Sequence, residues 1–335
     1  MNLNLLHKSF FIVKRICNVR HLYLTKSYFN FAVVNLNEKK ENDALEYTSE
    51  DLSTITPYFP ESFNLAAYVN SSETLQNLVY LNVNLSKIEK KPSIAEKILK
   101  LDFEKDIKRG LIFIKDFVNA DDIGNFLTKN PLILCEDVEH LEVRVNYLKS
   151  KQFKQHEISR IITNNPFWLM FSTIRIDRRL GFYQEKFELS GNEVRLLATK
   201  QPRLITYNLH HIQTNSFVIK EEMGFEDDEI KQLILDKPRL WMMNQKTLLE
   251  RFNYIHNVIK IPHKTILQFP HILLCRNFKV KQRHTFLEKL GRAQYNPTIE
   301  NFVPINALVE LTDIEFCKKY AKCHVDDFNM FLKTM

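Results

Sequence analysis

The sequence predicts an all-α fold, a helical-repeat solenoid of about six helix–proline turn–helix repeats. Three observations carry that prediction. Pro131, Pro166, Pro202, Pro238 and Pro270 recur at intervals of 35, 36, 36 and 32 residues. The flanking text recurs with them, as NPLIL, NPFWL, QPRLI, KPRLW and FPHIL. The 335 residues are 44% hydrophobic yet contain only 6 glycines, too few for turn-rich β architectures. A fixed period of this length marks stacked units, none of which can bury its apolar face alone.

The chain opens on an address. Leu3, Leu6, Phe10, Val13 and Cys17 recur at three- and four-residue steps, Lys8, Lys14 and Arg15 punctuate them, and no acid precedes Glu38. That composition predicts a mitochondrial presequence over residues 1–30. Residues 31–75 predict a polar, acidic linker. Seven acids fall within 38–63 against Lys39 and Lys40, and Pro57 and Pro60 break any helix there.

Residues 76–294 hold the repeats. A short amphipathic helix precedes each proline, and some have clear caps, such as Ser190 with Glu193. Proline lacks the N–H that would continue the helix, and it disfavours helix in the residue before it. Three residues on, Leu134, Leu169, Ile205, Trp241 and Leu273 pin the turn to the core. Six on, Asp137, Ser172, Asn208 and Asn244 are N-caps for a second helix; the fifth repeat has Arg276 there, with Asn277 next. Apolar residues ten, sixteen and seventeen on then give that helix its buried face. Gly181, Gly224 and Gly291 are expected near helix ends. A degenerate unit comes first. Aligning Ile123 with Ile158 sets Arg109 against Arg144, while Pro92 is out of phase by four. Residues 295–335 break the pattern and are expected to cap the array.

Several function classes find no support. There is no G-x-G-x-x-G, no G-x-x-x-x-G-K-[ST], no H-E-x-x-H and no G-x-S-x-G. No cofactor and no enzymatic activity are expected. The five cysteines form no C-x-x-C pair and read as reduced, mostly buried thiols. No apolar run approaches the roughly 20 residues of a membrane helix, so no membrane association is expected.

Charge points to a polyanion. Residues 131–294 carry 26 basic and 18 acidic residues, within a chain of net charge +7. One basic position repeats. Thirteen residues after each proline stand Arg144, Arg179, Asn215, Arg251 and Arg283. On a helix this position edges the interior face. Two readings follow: guanidinium groups spiralling along a groove to meet phosphates, or arginines tying neighbouring repeats through carbonyls or acids. Arg203 and Arg239 follow their prolines directly, and Lys281 belongs to a cluster with Lys279, Arg283 and Arg292. The candidate nucleic-acid contacts are therefore Arg109, Arg144, Arg179, Arg251 and Arg283, with Arg203, Arg239 and Lys281 behind them. Tyr147, Phe182, Tyr183 and Tyr254 could stack on bases, but their phase places them in the core.

The pattern P-x-x-[LI]-x6-[LIV]-x2-[RN], with the basic start, resembles the mitochondrial transcription termination factor (mTERF) family. The stretches NLSKIEKKP (84–92), LDFEKDIKRGLIFIKDF (101–117), FLTKNPLIL (126–134), RVNYLKSKQF (144–153), FKVKQRHTFLEKLGRAQYNP (278–297) and DFNMFLKTM (327–335) are similar to its third animal subfamily. The resemblance covers roughly residues 80–335. It implies a left-handed superhelix, half-ring in shape, with a basic concave path, in a mitochondrial matrix protein. It also implies negative regulation of mitochondrial DNA transcription and large-subunit ribosome assembly through ribosomal RNA. Partners would be double-stranded mitochondrial DNA, mitochondrial ribosomal RNA, or both, with possible ribosome-assembly proteins, bound by a monomer. The alternative is a protein-interaction scaffold for ribosome assembly that touches no nucleic acid. Asn215 departs from the arginine column and interrupts it at its centre.

Overall fold

The computed structural model describes residues 64–335, and every regular element among them is helical. The expected presequence, and the linker as far as residue 63, lie outside the described residues. The linker's last part is not a linker. Leu65 and Leu75 are wholly buried, and Glu73–Tyr80 is a helix whose N-cap Ser72 accepts a bond from Leu75 N–H at 3.3 Å. Thr74 anchors it by donating to the Leu101 carbonyl at 2.7 Å. The Ser-Glu start and the Leu75–Leu78 spacing are themselves helix signals.

Each repeat follows one plan. In the Pro166 repeat, helix Gln155–Asn164 stops before the proline, a tight turn spans Trp168–Met170, and helix Thr173–Lys186 runs on from the Ser172 cap. The other four repeats match it. Their first helices are Ala120–Lys129, Gly191–Lys200, Asp227–Asp236 and His263–Gln268. Their second helices begin at Val138, Leu209, Gln245 and Asn277. Ser172, Asn208 and Asn244 cap through their side chains, as expected. Asp137 and Arg276 hold the cap position without a side-chain bond.

The degenerate first unit differs where its proline is displaced. Pro92 opens an eight-residue helix, Pro92–Leu99, in place of the tight turn. At the other end, the pattern continues beyond its expected limit at residue 294. Pro304 lies 34 residues after Pro270 and starts another tight turn, Ile305–Leu308. Two extra residues then move the cap to Thr312, which hides the unit from a search at fixed spacing. Helix Val325–Lys333 closes the array. Its Phe328 and Phe331 rings lie 5.0 and 5.1 Å from Phe286.

Second helices end on a residue with positive φ, between 51° and 72°: Gln152, Glu188, Gly224, Lys260, Gly291 and Lys322. Gly224 and Gly291 thus fill the expected role, because glycine enters this region without a Cβ penalty. Gly181 does not. It lies inside helix Thr173–Lys186 on an exposed face. The thiols also differ from expectation. Only Cys317 is fully buried among the described cysteines, and Cys135 is exposed. No helix among the described residues is long and apolar enough to cross a membrane.

Candidate nucleic-acid interface

Two ladders of polar side chains join the repeats. In the first, the asparagine before one proline donates to the carbonyl of the next. Asn130 Nδ2 reaches Pro166 O at 2.9 Å, and Asn165 Nδ2 reaches Pro202 O at 3.2 Å. Both asparagines are 2% exposed. The residue before a proline leaves the helix, so its amide is free to cross to the neighbouring unit.

The second ladder is the column thirteen residues after each proline. Its members donate to the carbonyl three residues after the next proline. Arg144 bonds the Leu169 carbonyl and pairs with Glu136 at 2.6 Å. Arg179 bonds Ile205 O at 2.8 Å and also Tyr207 O. Asn215 reaches Trp241 O at 3.0 Å and Met243 O at 2.8 Å. Arg251 reaches Leu273 O at 3.0 Å. Arg283 reaches Ala307 O at 2.8 Å, Leu311 O at 2.6 Å and Asp313 at 2.6 Å. Ala307 stands three residues after Pro304, so the register holds to the last unit. Arg179 and Arg283 are buried, and burial pushes the Arg179 and Arg251 guanidinium groups below the usual arginine range.

Of the two readings of this column, the geometry describes the tie between repeats. Arg144, Arg179, Arg251 and Arg283 spend their donors on turn carbonyls that would otherwise be buried and unpaired. The expected continuous arginine groove is absent from this column for that reason. Asn215 is not a gap in it, because a shorter neutral amide makes the same two bonds. Arg109 is not one of the ties. It is exposed and pairs with Glu139 at 2.7 Å.

Other cations also close helix ends. Lys231 donates to Glu188 O at 2.8 Å, Lys200 to Leu235 O at 2.8 Å, Arg160 to Thr199 O at 3.1 Å and Lys279 to Val309 O at 2.7 Å. Cations suit these carbonyls, where helix dipoles concentrate negative charge. Part of the basic excess is therefore architectural.

Arg203 and Arg239 are different. Both are exposed, at equivalent places in neighbouring repeats, and neither guanidinium has a hydrogen-bond or ion-pair partner among the described residues. Arg239 lies close enough to Arg251 for its charge to depress that group further. Lys281 is exposed, with its ammonium 5.1 Å from the centre of the Tyr254 ring. Arg175 and Arg178 are also exposed cations. The sequence reading passed over them, although they sit nine and twelve residues after Pro166, beside the position it singled out. The aromatic residues largely keep to the core: Tyr183 is wholly buried, and Tyr147, Phe182 and Tyr254 are partly buried against it. No group of three or more His, Cys, Asp or Glu able to hold a metal occurs among the described residues.

The family model described as mTERF matches residues 43–316. The chain is 48% identical over 274 residues to a Drosophila melanogaster protein named "Transcription termination factor 3, mitochondrial", a match covering 82% of this chain and 77% of that one. It is 46% identical over 292 residues to the Rattus norvegicus protein of the same name, covering 86% and 71%. A more distant match, 24% over 184 residues, is to "Transcription termination factor 4, mitochondrial" of Mus musculus, covering 52% and 51%.

Proposed function

The chain belongs to the mTERF family, and on that premise we propose that it is a mitochondrial nucleic-acid-binding protein that regulates transcription and catalyses no reaction. The names of its relatives support the compartment and the process. The observation that carries nucleic-acid binding is the pair Arg203 and Arg239. Two unpaired guanidinium groups recur in register on adjacent repeats, which is how a solenoid presents charge at intervals to a polyanion. Arg109 and Lys281 extend the contact set on either side. The ties at Arg144, Arg179, Arg251 and Arg283 act indirectly, by fixing the distance between those charges. In its finer form, the reading is a matrix protein that lowers mitochondrial DNA transcription and assists large-subunit ribosome assembly through ribosomal RNA.

Crosslinking in intact mitochondria, followed by sequencing of the bound fragments, tests this. Large-subunit ribosomal RNA would make ribosome assembly the primary role. A control region of mitochondrial DNA would make transcription primary. Recovery of neither would retire the proposal in favour of a protein scaffold. One observation favours that second reading. Phe278 and Ile314, each two residues beyond its helix cap in adjacent units, are 55% and 65% exposed. Neighbouring apolar side chains left open to water are a feature of protein-binding surfaces.

A further inference from the structure

Helix Thr173–Lys186 differs from its counterparts at its start. It carries Arg175, Arg178 and Arg179 within five residues. The positions matching Arg175 and Arg178 in the other repeats are His140 and Val143, His211 and Thr214, Thr247 and Glu250, and Lys279 and Gln282. Only this repeat sets two arginines there.

Beside them lies a depression of about 440 Å³, lined by Ser172, Ile174, Arg175, Arg178, Arg179 and Leu209. It bridges two repeats, since Leu209 opens the second helix of the Pro202 repeat. Arg179, 8% exposed, forms part of its wall and is fixed by the Ile205 and Tyr207 carbonyls. The Arg175 guanidinium lies 4.2 Å from the centre of the Phe171 ring, and that of Arg179 lies 5.3 Å from the same ring. The ring thus braces both cations. Asp177, the one acid within this stretch of arginines, is engaged elsewhere. It accepts from Tyr147 Oη at 2.7 Å and pairs with Lys151 at 2.8 Å, both on the preceding repeat. No lining residue is acidic, so three guanidinium groups meet with no carboxylate among them.

Such a cluster repels itself until an anion arrives. The start of the helix adds the positive end of its dipole, while the Arg175 N–H is already taken by the Ser172 hydroxyl at 3.3 Å. Arg175 and Arg178 each offer a planar fork of donors that matches phosphate oxygens. We propose that this depression is a phosphate-binding site, and that it takes one phosphodiester of a nucleic-acid strand between Arg175 and Arg178. The inference rests on the nucleic-acid reading above and gives it a place on the array.

Fluorescence anisotropy of the full chain tests it, with a labelled random-sequence DNA duplex and a labelled single-stranded RNA as probes across a potassium chloride series. The logarithm of the wild-type association constant should fall linearly with the logarithm of salt. The Arg175→Gln/Arg178→Gln variant, losing one phosphate contact, should lose about 0.9 of that slope if the duplex fills the site, or about 0.7 if the single strand does. Its binding should also weaken by about tenfold or more at physiological salt. The probe showing the loss identifies the source of the phosphate. The Arg175→Lys/Arg178→Lys variant should keep most of the slope, which a merely structural effect of substitution would not give. An unchanged slope in the glutamine variant, with the wild type binding normally, overturns the site and leaves the broader reading standing. A wild type that binds neither probe overturns both.

Discussion

His263 lies in a stack of rings at the junction of two repeats. Its ring centre is 4.5 Å from Phe225, 4.5 Å from His256 and 5.6 Å from Phe252. Burial, and then the charge of His256, hold its pKa below the ordinary 6.5, against a smaller opposing pull from Glu229. The unfolded chain therefore takes up the proton at a higher pH than the folded one. Stability is complete above the unfolded value and is lost as pH falls from there through the folded value. The melting temperature should drop as pH falls below about 6.5, and His263→Phe, which preserves the stack, should shrink that drop. An acid limb identical in the variant would show that other groups set it. Gly124 makes a second prediction at this scale. A Cβ there would lie 2.2 Å from the Leu81 carbonyl oxygen and 2.6 Å from that of Asn82. Because backbone cannot swing aside as a side chain can, Gly124→Ala should cost roughly 1–3 kcal/mol in urea unfolding. The reason for this glycine was not legible in the sequence, since the segment it touches lies more than forty residues away.

The helices were the most legible part of the molecule. Proline, the polar cap and the apolar steps each act locally, so Pro166, Ser172 and Ile176 announce their roles without reference to the rest of the chain. Pro304 escaped because two inserted residues displaced its cap to Thr312. The left-handed ends were legible only where glycine holds them. At Gln152, Glu188 and Lys260 an ordinary residue adopts the same conformation, held there by the stacking of the repeats. A residue with a Cβ pays for that position in strain. Glu188→Gly keeps the carbonyl that Lys231 uses and should raise stability by roughly 0.5–1 kcal/mol, seen as a higher urea midpoint at constant slope. A lower midpoint would mean that the glutamate side chain contributes more than the strain removes.

Across the whole array, cohesion and charge draw on the same residues. The sequence marked position thirteen as special but left two uses for it open. The choice depends on where the next repeat's carbonyls fall, and that is a property of the stack. The same holds for the basic excess, part of which closes helix ends and part of which faces solvent. Arg283 and Lys281 separate the two uses on a single helix. Arg283 is 1% exposed and bonded to three groups of the last unit, whereas Lys281 is exposed and lies over the Tyr254 ring, with no hydrogen bond or ion pair from its ammonium among the described residues. Urea unfolding of Arg283→Met beside Lys281→Gln is the most direct test. Arg283→Met should lose roughly 3 kcal/mol or more, because two turn carbonyls and Asp313 lose a charged donor. Lys281→Gln should stay within about 0.5 kcal/mol of the wild type. Wild-type stability in Arg283→Met, together with weakened nucleic-acid binding, would contradict the assignment of this column to the joints between repeats.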